Sequence, residues 1–161
     1  MKKKIITGIL VMSLPVSLLS GCGKQDLPVG EYAFEDVVYV GGISSASLDY
    51  MVETKSGTEY SIQDDSLRIS GHGDVTYSHI TYEREELTDR FIEKNYGAVN
   101  FYPLDDFFDP YTHRYRFGLF DENGEQIHYY IFLMDDDVFI SQFARADMLI
   151  FSIDKIVKNI D

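Results

Sequence analysis

Between Asp121-Glu122-Asn123-Gly124-Glu125 and Asp135-Asp136-Asp137 the chain reads QIHYYIFLM, Gln126 to Met134, without a glycine, a proline or an acid. Ile127, Tyr129, Ile131 and Leu133 fall on one side of a two-residue period, His128, Tyr130, Phe132 and Met134 on the other. β-Branched and aromatic side chains pack well on a pleated surface, and turn formers close both ends of the run, so it predicts a strand. His113–Phe120 alternates ahead of it, and Val138–Phe143 and Met148–Val157 follow, with a turn at Ala144–Asp147. Strands joined by connections this short must pair antiparallel, so the last third of the chain reads as a four-stranded meander. Asn123-Gly124 sits where a tight hairpin wants positive φ.

The same rhythm runs through the earlier chain. Glu31–Val40 places Tyr32, Phe34, Val38 and Val40 on one face, with Asp36 as an exception. Thr58–Gln63 and Ser66–Ser70 form a hairpin around Asp64-Asp65, and Val75–Arg84 alternates as one strand. Val99–Tyr102 is a short strand stopped by Pro103. A content of 12 tyrosines and 11 phenylalanines with no tryptophan suits strands. Two segments change period. Ser45–Lys55 carries Leu48, Met51 and Val52 at i, i+3 and i+4, with serines that can cap it and Ser56-Gly57 as a stop. Glu85–Asn95 carries Leu87 and Phe91 at i and i+4, with acids early, Lys94 late and Gly97 beyond. The expected fold is mainly β: a small antiparallel barrel or curled sheet, since closure removes exposed edges, with two short helices.

The first 22 residues follow another plan. Lys2, Lys3 and Lys4 precede the uncharged apolar run Ile5–Leu19. A basic start followed by an apolar middle is the layout of an export signal, and the run is shorter than the roughly 20 residues a bilayer span needs. Leu19-Ser20-Gly21-Cys22 resembles the lipobox of bacterial lipoproteins. That resemblance implies a cysteine that takes a diacylglycerol on its sulfur, is acylated with palmitate-type chains and becomes the mature N-terminus. The expected organisation is a signal peptide over 1–21, a lipidated tether over 22–29 and a single β-rich domain over 30–161. The expected location is the extracytoplasmic face of the cell membrane. Cys22 is the only cysteine, so no disulfide staples the domain and its stability must come from a packed core.

Removing residues 1–21 would lower Lys+Arg from 14 to 11 against 27 acids, moving the formal charge from -13 to -16. Such a polyanion is repelled by phosphate backbones and anionic lipid surfaces, which argues against a nucleic-acid partner. Gly30-Glu31-Tyr32 resembles the Gly-x-Trp opening of lipocalin-type barrels, with Tyr32 in the aromatic position. Gly30, Tyr32, Phe34, Val37, Val38 and Tyr39 also match a Gly-x-Tyr-x-Phe-x-x-Val-Val-Tyr start that is similar to that of small bacterial lipoproteins. These resemblances imply a calycin-like barrel and bring no activity with them.

Motifs for hydrolase, zinc and nucleotide chemistry are absent. Ser44-Ser45-Ala46-Ser47 reads as a helix cap, and His72, His79, His113 and His128 lack ligand spacing. No cofactor or metal is expected. Calcium at Asp105, Asp106 and Asp109, or at Asp135–Asp137, is an alternative that oxygen-rich loops allow. Leu104–Tyr111, LDDFFDPY, is the recognition candidate, because Asp105, Asp106, Phe107, Phe108, Asp109 and Tyr111 mix acids with rings in a loop bracketed by Pro103 and Pro110. Read as extended chain, it would send Phe107 and Phe108 to opposite sides, one plugging the barrel end and one meeting a partner. The expected function is a membrane-tethered, non-catalytic binding or interaction module for an unknown protein or small ligand. A carrier using the barrel interior and a hydrolase with an acidic site are the alternatives. The anchor expectation has a direct check: Cys22→Ser should abolish incorporation of labelled fatty acid and release or mis-process the protein. Undiminished labelling and membrane retention of that variant would remove it.

Overall fold

Nine strands lie in one antiparallel sheet in a computed structural model that describes residues 26–42, 44–71, 73–97, 104–143 and 150–159. They are β1 (Gly30–Val40), β2 (Glu59–Gln63), β3 (Ser66–Ser70), β4 (Val75–Ser78), β5 (Thr81–Glu86), β6 (Arg114–Phe120), β7 (Gln126–Met134), β8 (Asp137–Phe143) and β9 (Ile150–Lys158). Their order across the sheet is β4-β3-β2-β1-β9-β8-β7-β6-β5. The meander β6–β9 and the β2–β3 hairpin are as the alternation requires. Cys22, the Val99–Tyr102 strand and the Ala144–Asp147 turn lie outside the described residues.

The order of strands explains the curl. Val75–Arg84 is not one strand but two, and the two occupy opposite edges of the sheet. His79 breaks the run with a left-handed φ of 56°, and the Ile80 N–H donates to the Asp65 carbonyl at 3.0 Å. With Ile80 turned inward and 3% exposed, the strand cannot continue straight. His79 and Ile80 are all that separates β4 from β5, and three chain steps span at most about 11 Å. The sheet must therefore roll until its edges approach. Tyr82 on β5 then donates to the Ser66 carbonyl on β3 at 2.9 Å, across the seam. The result is a curled half-barrel with no β4–β5 ladder among the described pairings.

β1 also departs from its simple alternation. Its register against β9 slips between Phe34 and Asp36 and again between Val37 and Tyr39, so Glu35 and Val38 are extra residues with no partner. Directly paired residues share a face, so Phe34 and Val37 join Ile156 and Asp154 inside, while Asp36 and Tyr39 join Lys155 and Ile153 outside. The set expected to share one face is corrected in two places. Val37, 2% exposed, takes the place beside Tyr32 and Phe34 expected of Val38, and Asp36 is no exception because it faces the other way. Two bulges are the cause, since each inserted residue flips the alternation that follows it.

The curled sheet buries both faces. Inside, Ile62, Leu67, Leu119 and Ile131, all fully buried, pack with Tyr32, Tyr60, Phe117, Ile140 and Ile156. Outside, Tyr130, Phe132, Met134, Phe139 and Ile153 pack under a second layer holding Leu87, Ile92, Tyr96, Leu104 and Phe108. That layer is built by α2 (Asp89–Ile92), a π-turn over Glu93–Gly97, and α3 (Asp105–Phe108). The helix expected from Glu85 starts only at Asp89, capped by the Thr88 side chain. Glu85 and Glu86 belong to β5, where they pair with Arg116 and Tyr115. The other expected helix is α1 (Leu48–Lys55), capped by Ser47; it buries none of its residues.

Arg116 pins the outer layer to the sheet. It is 3% exposed, pairs with Glu85, donates to the Tyr96 hydroxyl at 2.7 Å, and its guanidinium lies 4.2 Å from the Tyr130 ring centre. A buried charge is tolerable only with such partners. The β6–β7 connection differs from a two-residue turn: Gly124 N–H donates to the Asp121 carbonyl at 3.0 Å, and Gly124 alone is left-handed, at φ 78°. A Cβ there would meet nothing within 4 Å, so only backbone strain opposes a side chain. Gly124→Val should destabilise by about 1–2 kcal/mol in chemical denaturation; an unchanged midpoint would show that the loop adjusts without cost.

Candidate functional site

Leu104–Tyr111 is not extended. The Leu104 carbonyl accepts from the N–H groups of Phe107 at 3.0 Å and Phe108 at 3.1 Å, winding the segment into α3. Adjacent side chains on a helical turn diverge by about 100° rather than 180°. The expectation that Phe107 and Phe108 point to opposite sides is therefore corrected: they stand side by side, ring centres 4.9 Å apart. Their fates still differ. Phe108 is fully buried and stacks on Tyr96 at 5.6 Å, whereas Phe107 is half-buried and meets Phe139 edge-on at 5.1 Å.

Phe107, Tyr111 and Asp106 line one groove of about 450 Å³ with Pro110, and the opposite wall is Val38, Tyr39, Phe139 and Lys155. Of the six residues singled out in sequence, Phe108 lies in the core and Asp109 is exposed away from the groove lining. Asp105 contributes backbone to α3, and its side chain lies outside the described residues. The bulges of β1 supply the far wall. Val38, one inserted residue, stays 40% exposed at the groove; Glu35, the other, takes the Lys155 ammonium at 3.2 Å. Lys155 also lies 3.5 Å from Asp137, whose other oxygen accepts from the Tyr111 hydroxyl at 3.2 Å. Burial and then Asp137 raise the Tyr111 phenol pKa above its ordinary value. The hydrogen bond from Lys155 to Glu35 raises the pKa of the ammonium, so the rim keeps one cation among the carboxylates of Glu35, Asp106 and Asp137. Alternation alone could not aim Val38, because two bulges break the period of β1, and it could not show that strand pairing brings Phe139 and Lys155 beside it.

A second site opens on the inner face. Next to α1, a cavity of about 240 Å³ is lined by Lys55, Thr58, Tyr60, Tyr129, Gln142 and Asp154, with Ile69 and Ile140 among its apolar parts. Asp154 is 5% exposed, and Lys55 reaches in from the end of α1 to lie 2.7 Å from one of its oxygens and 2.5 Å from the other. Lys55 also donates to Ser152 at 2.7 Å. Burial raises the pKa of the Asp154 carboxyl, while Lys55, Ser152 and Tyr60 pull it back in part. The Tyr129 phenol is pushed up to about 12, by burial first and then by Tyr77 and Asp154. Sequence reasoning passed over this site, although an acid inside the apolar run FSIDKIV was a signal for it.

Among the described residues no three histidine, cysteine, aspartate or glutamate side chains gather as metal ligands. The buried carboxylate faces a lysine rather than a second carboxylate, unlike the paired acids of a glycosidase. No family model, curated protein or solved structure matches the chain.

The raised Asp154 pKa has a sign that can be checked. The folded state holds that proton more tightly than the unfolded chain, so stability is present below about pH 4 and is lost as pH rises through the folded value. Each tenfold in proton affinity corresponds to about 1.4 kcal/mol. Relative to Asp154→Asn, the wild type should lose stability over that interval and then run parallel. A wild type that instead gains stability over Asp154→Asn as pH rises would show that Lys55 outweighs burial.

Proposed function

We propose that this chain is a lipid-anchored, extracytoplasmic binding module that recognises a partner through the groove between α3 and β1–β9–β8. The reading rests on one observation: half-buried rings line an open groove on the outside of a sheet whose inside is largely filled. Rings held by a packed layer add contact area at little entropic cost, since Phe107 and Tyr111 are already ordered against Phe139. Three carboxylates and one ammonium at the rim favour a partner with apolar side chains flanked by lysine or arginine. The formal charge, -13 for the whole chain and -16 once residues 1–21 are removed, steers the same kind of partner toward the surface. Cys22 supplies the anchor in this reading, and residues 22–29 the tether.

A carrier of apolar molecules is disfavoured by the fully buried Ile62, Leu67, Leu119 and Ile131, which occupy the space such a cargo would need. Selection from a phage-displayed peptide library should enrich sequences that alternate basic and apolar residues. Phe107→Ala should weaken the selected peptides at least about tenfold, the scale of an interface anchor, with little change in stability. Phe108→Ala should instead cost about 3–5 kcal/mol of stability as a core truncation. Acidic peptides, or peptides that bind Phe107→Ala as well as wild type, would sink the proposal.

A further inference from the structure

We infer that the cavity beside α1 is a binding site for a small neutral polyhydroxylated ring, a monosaccharide or a cyclitol. This inference does not depend on the outer groove. The cavity holds about 240 Å³, which is roughly eight waters at ~30 Å³ each, so it suits a single ring and no more.

Charge decides the ligand class. Lys55 has three N–H donors, and Ser152 Oγ and the two Asp154 oxygens lie within 2.5–2.7 Å of its nitrogen. Asp154 takes the Tyr60 hydroxyl as well. The pair is thus balanced within the protein. A charged ligand would bring an uncompensated charge against a buried ion pair that is already balanced, whereas a neutral ligand adds no such charge.

The groups left over are those a hydroxyl-rich molecule can use. The side chains of Tyr129, Thr58 and Gln142 face the cavity, and none makes a hydrogen bond among the described residues. Thr58 as a residue is 7% exposed. Hydroxyl and amide groups both donate and accept, which matches vicinal hydroxyls that do the same. Ile69, Ile140 and the tyrosine rings supply the apolar surface that the C–H groups of a sugar or cyclitol would meet.

Isothermal titration of the full chain in a non-glycosidic detergent tests the site with glucose, galactose, N-acetylglucosamine and myo-inositol. Glucosamine and gluconate serve as the cationic and anionic counterparts. At least one neutral probe should bind saturably in the millimolar range or tighter, and the stronger of the sugars and inositol identifies the source chemistry. Tyr129→Phe and Gln142→Ala should each weaken it at least about tenfold, the equivalent of one hydrogen bond, at unchanged thermal midpoint. No saturable binding of any neutral probe would overturn the inference. So would a charged probe that binds more tightly than its neutral counterparts, or full affinity in both variants.

Discussion

A strand that is apolar on both sides needs a cover on both sides, and β7 is such a strand. Ile131 and Leu133 face inward while Tyr130, Phe132 and Met134 face outward, and all five are buried. The inner cover is the sheet itself, rolled by the two-residue His79-Ile80 link that joins its opposite edges. The outer cover is the α2–α3 layer, which is too short to be stable as free helix and depends on tertiary contacts. Arg116 on β6 joins that layer to the sheet through Tyr96 and is balanced by Glu85 on the neighbouring β5, so a guanidinium at 3% exposure links the cover to the sheet. The domain spends a buried charge where a helix of one turn could not hold by packing alone.

Both candidate sites follow from this two-sided plan. Asp154 and Lys155 are neighbours on β9, and the pleat sends Asp154 to the inner cavity and Lys155 to the outer groove. The two bulges of β1 then matter for function as much as for shape. Without them Glu35 and Val38 would be ordinary ladder residues; as insertions, Val38 lines the wall opposite Phe107 and Glu35 holds the Lys155 ammonium of that wall. Bulges commonly re-aim side chains next to binding sites. α1 has a comparable role inside: it buries none of its own residues, yet its last residue, Lys55, closes the charge balance of the cavity.

Much of the strand pattern was legible because it is local. β7 matches its alternating run residue for residue, and Asp64-Asp65 and Asp135-Asp136 turn where short polar links should. What failed was non-local. Val75–Arg84 alternates well enough to be one strand, and only the pull of Ile80 into the interior breaks it. FFDP reads as a loop between prolines, yet burial of Phe108 under Tyr96 and Phe132 favours a helical turn. The groove residues Phe107 and Tyr111 were found as aromatics on a polar segment, while Val38 and Lys155 required the bulged register to place them. The Lys55–Asp154 pair joins residues 99 apart in sequence, a distance over which no period carries information.

The claim on which the rest depends is that the β7–β8 strip is the doubly covered centre of one cooperative unit. Native-state hydrogen exchange, read residue by residue, measures it directly. Amides of Tyr130–Met134 and Val138–Ser141 should exchange only through global unfolding, with the edge strands β4 and β5 opening at lower free energy. Exchange of β7 as fast as that of β4, or an α2–α3 layer that opens without raising exchange in β7, would contradict the account.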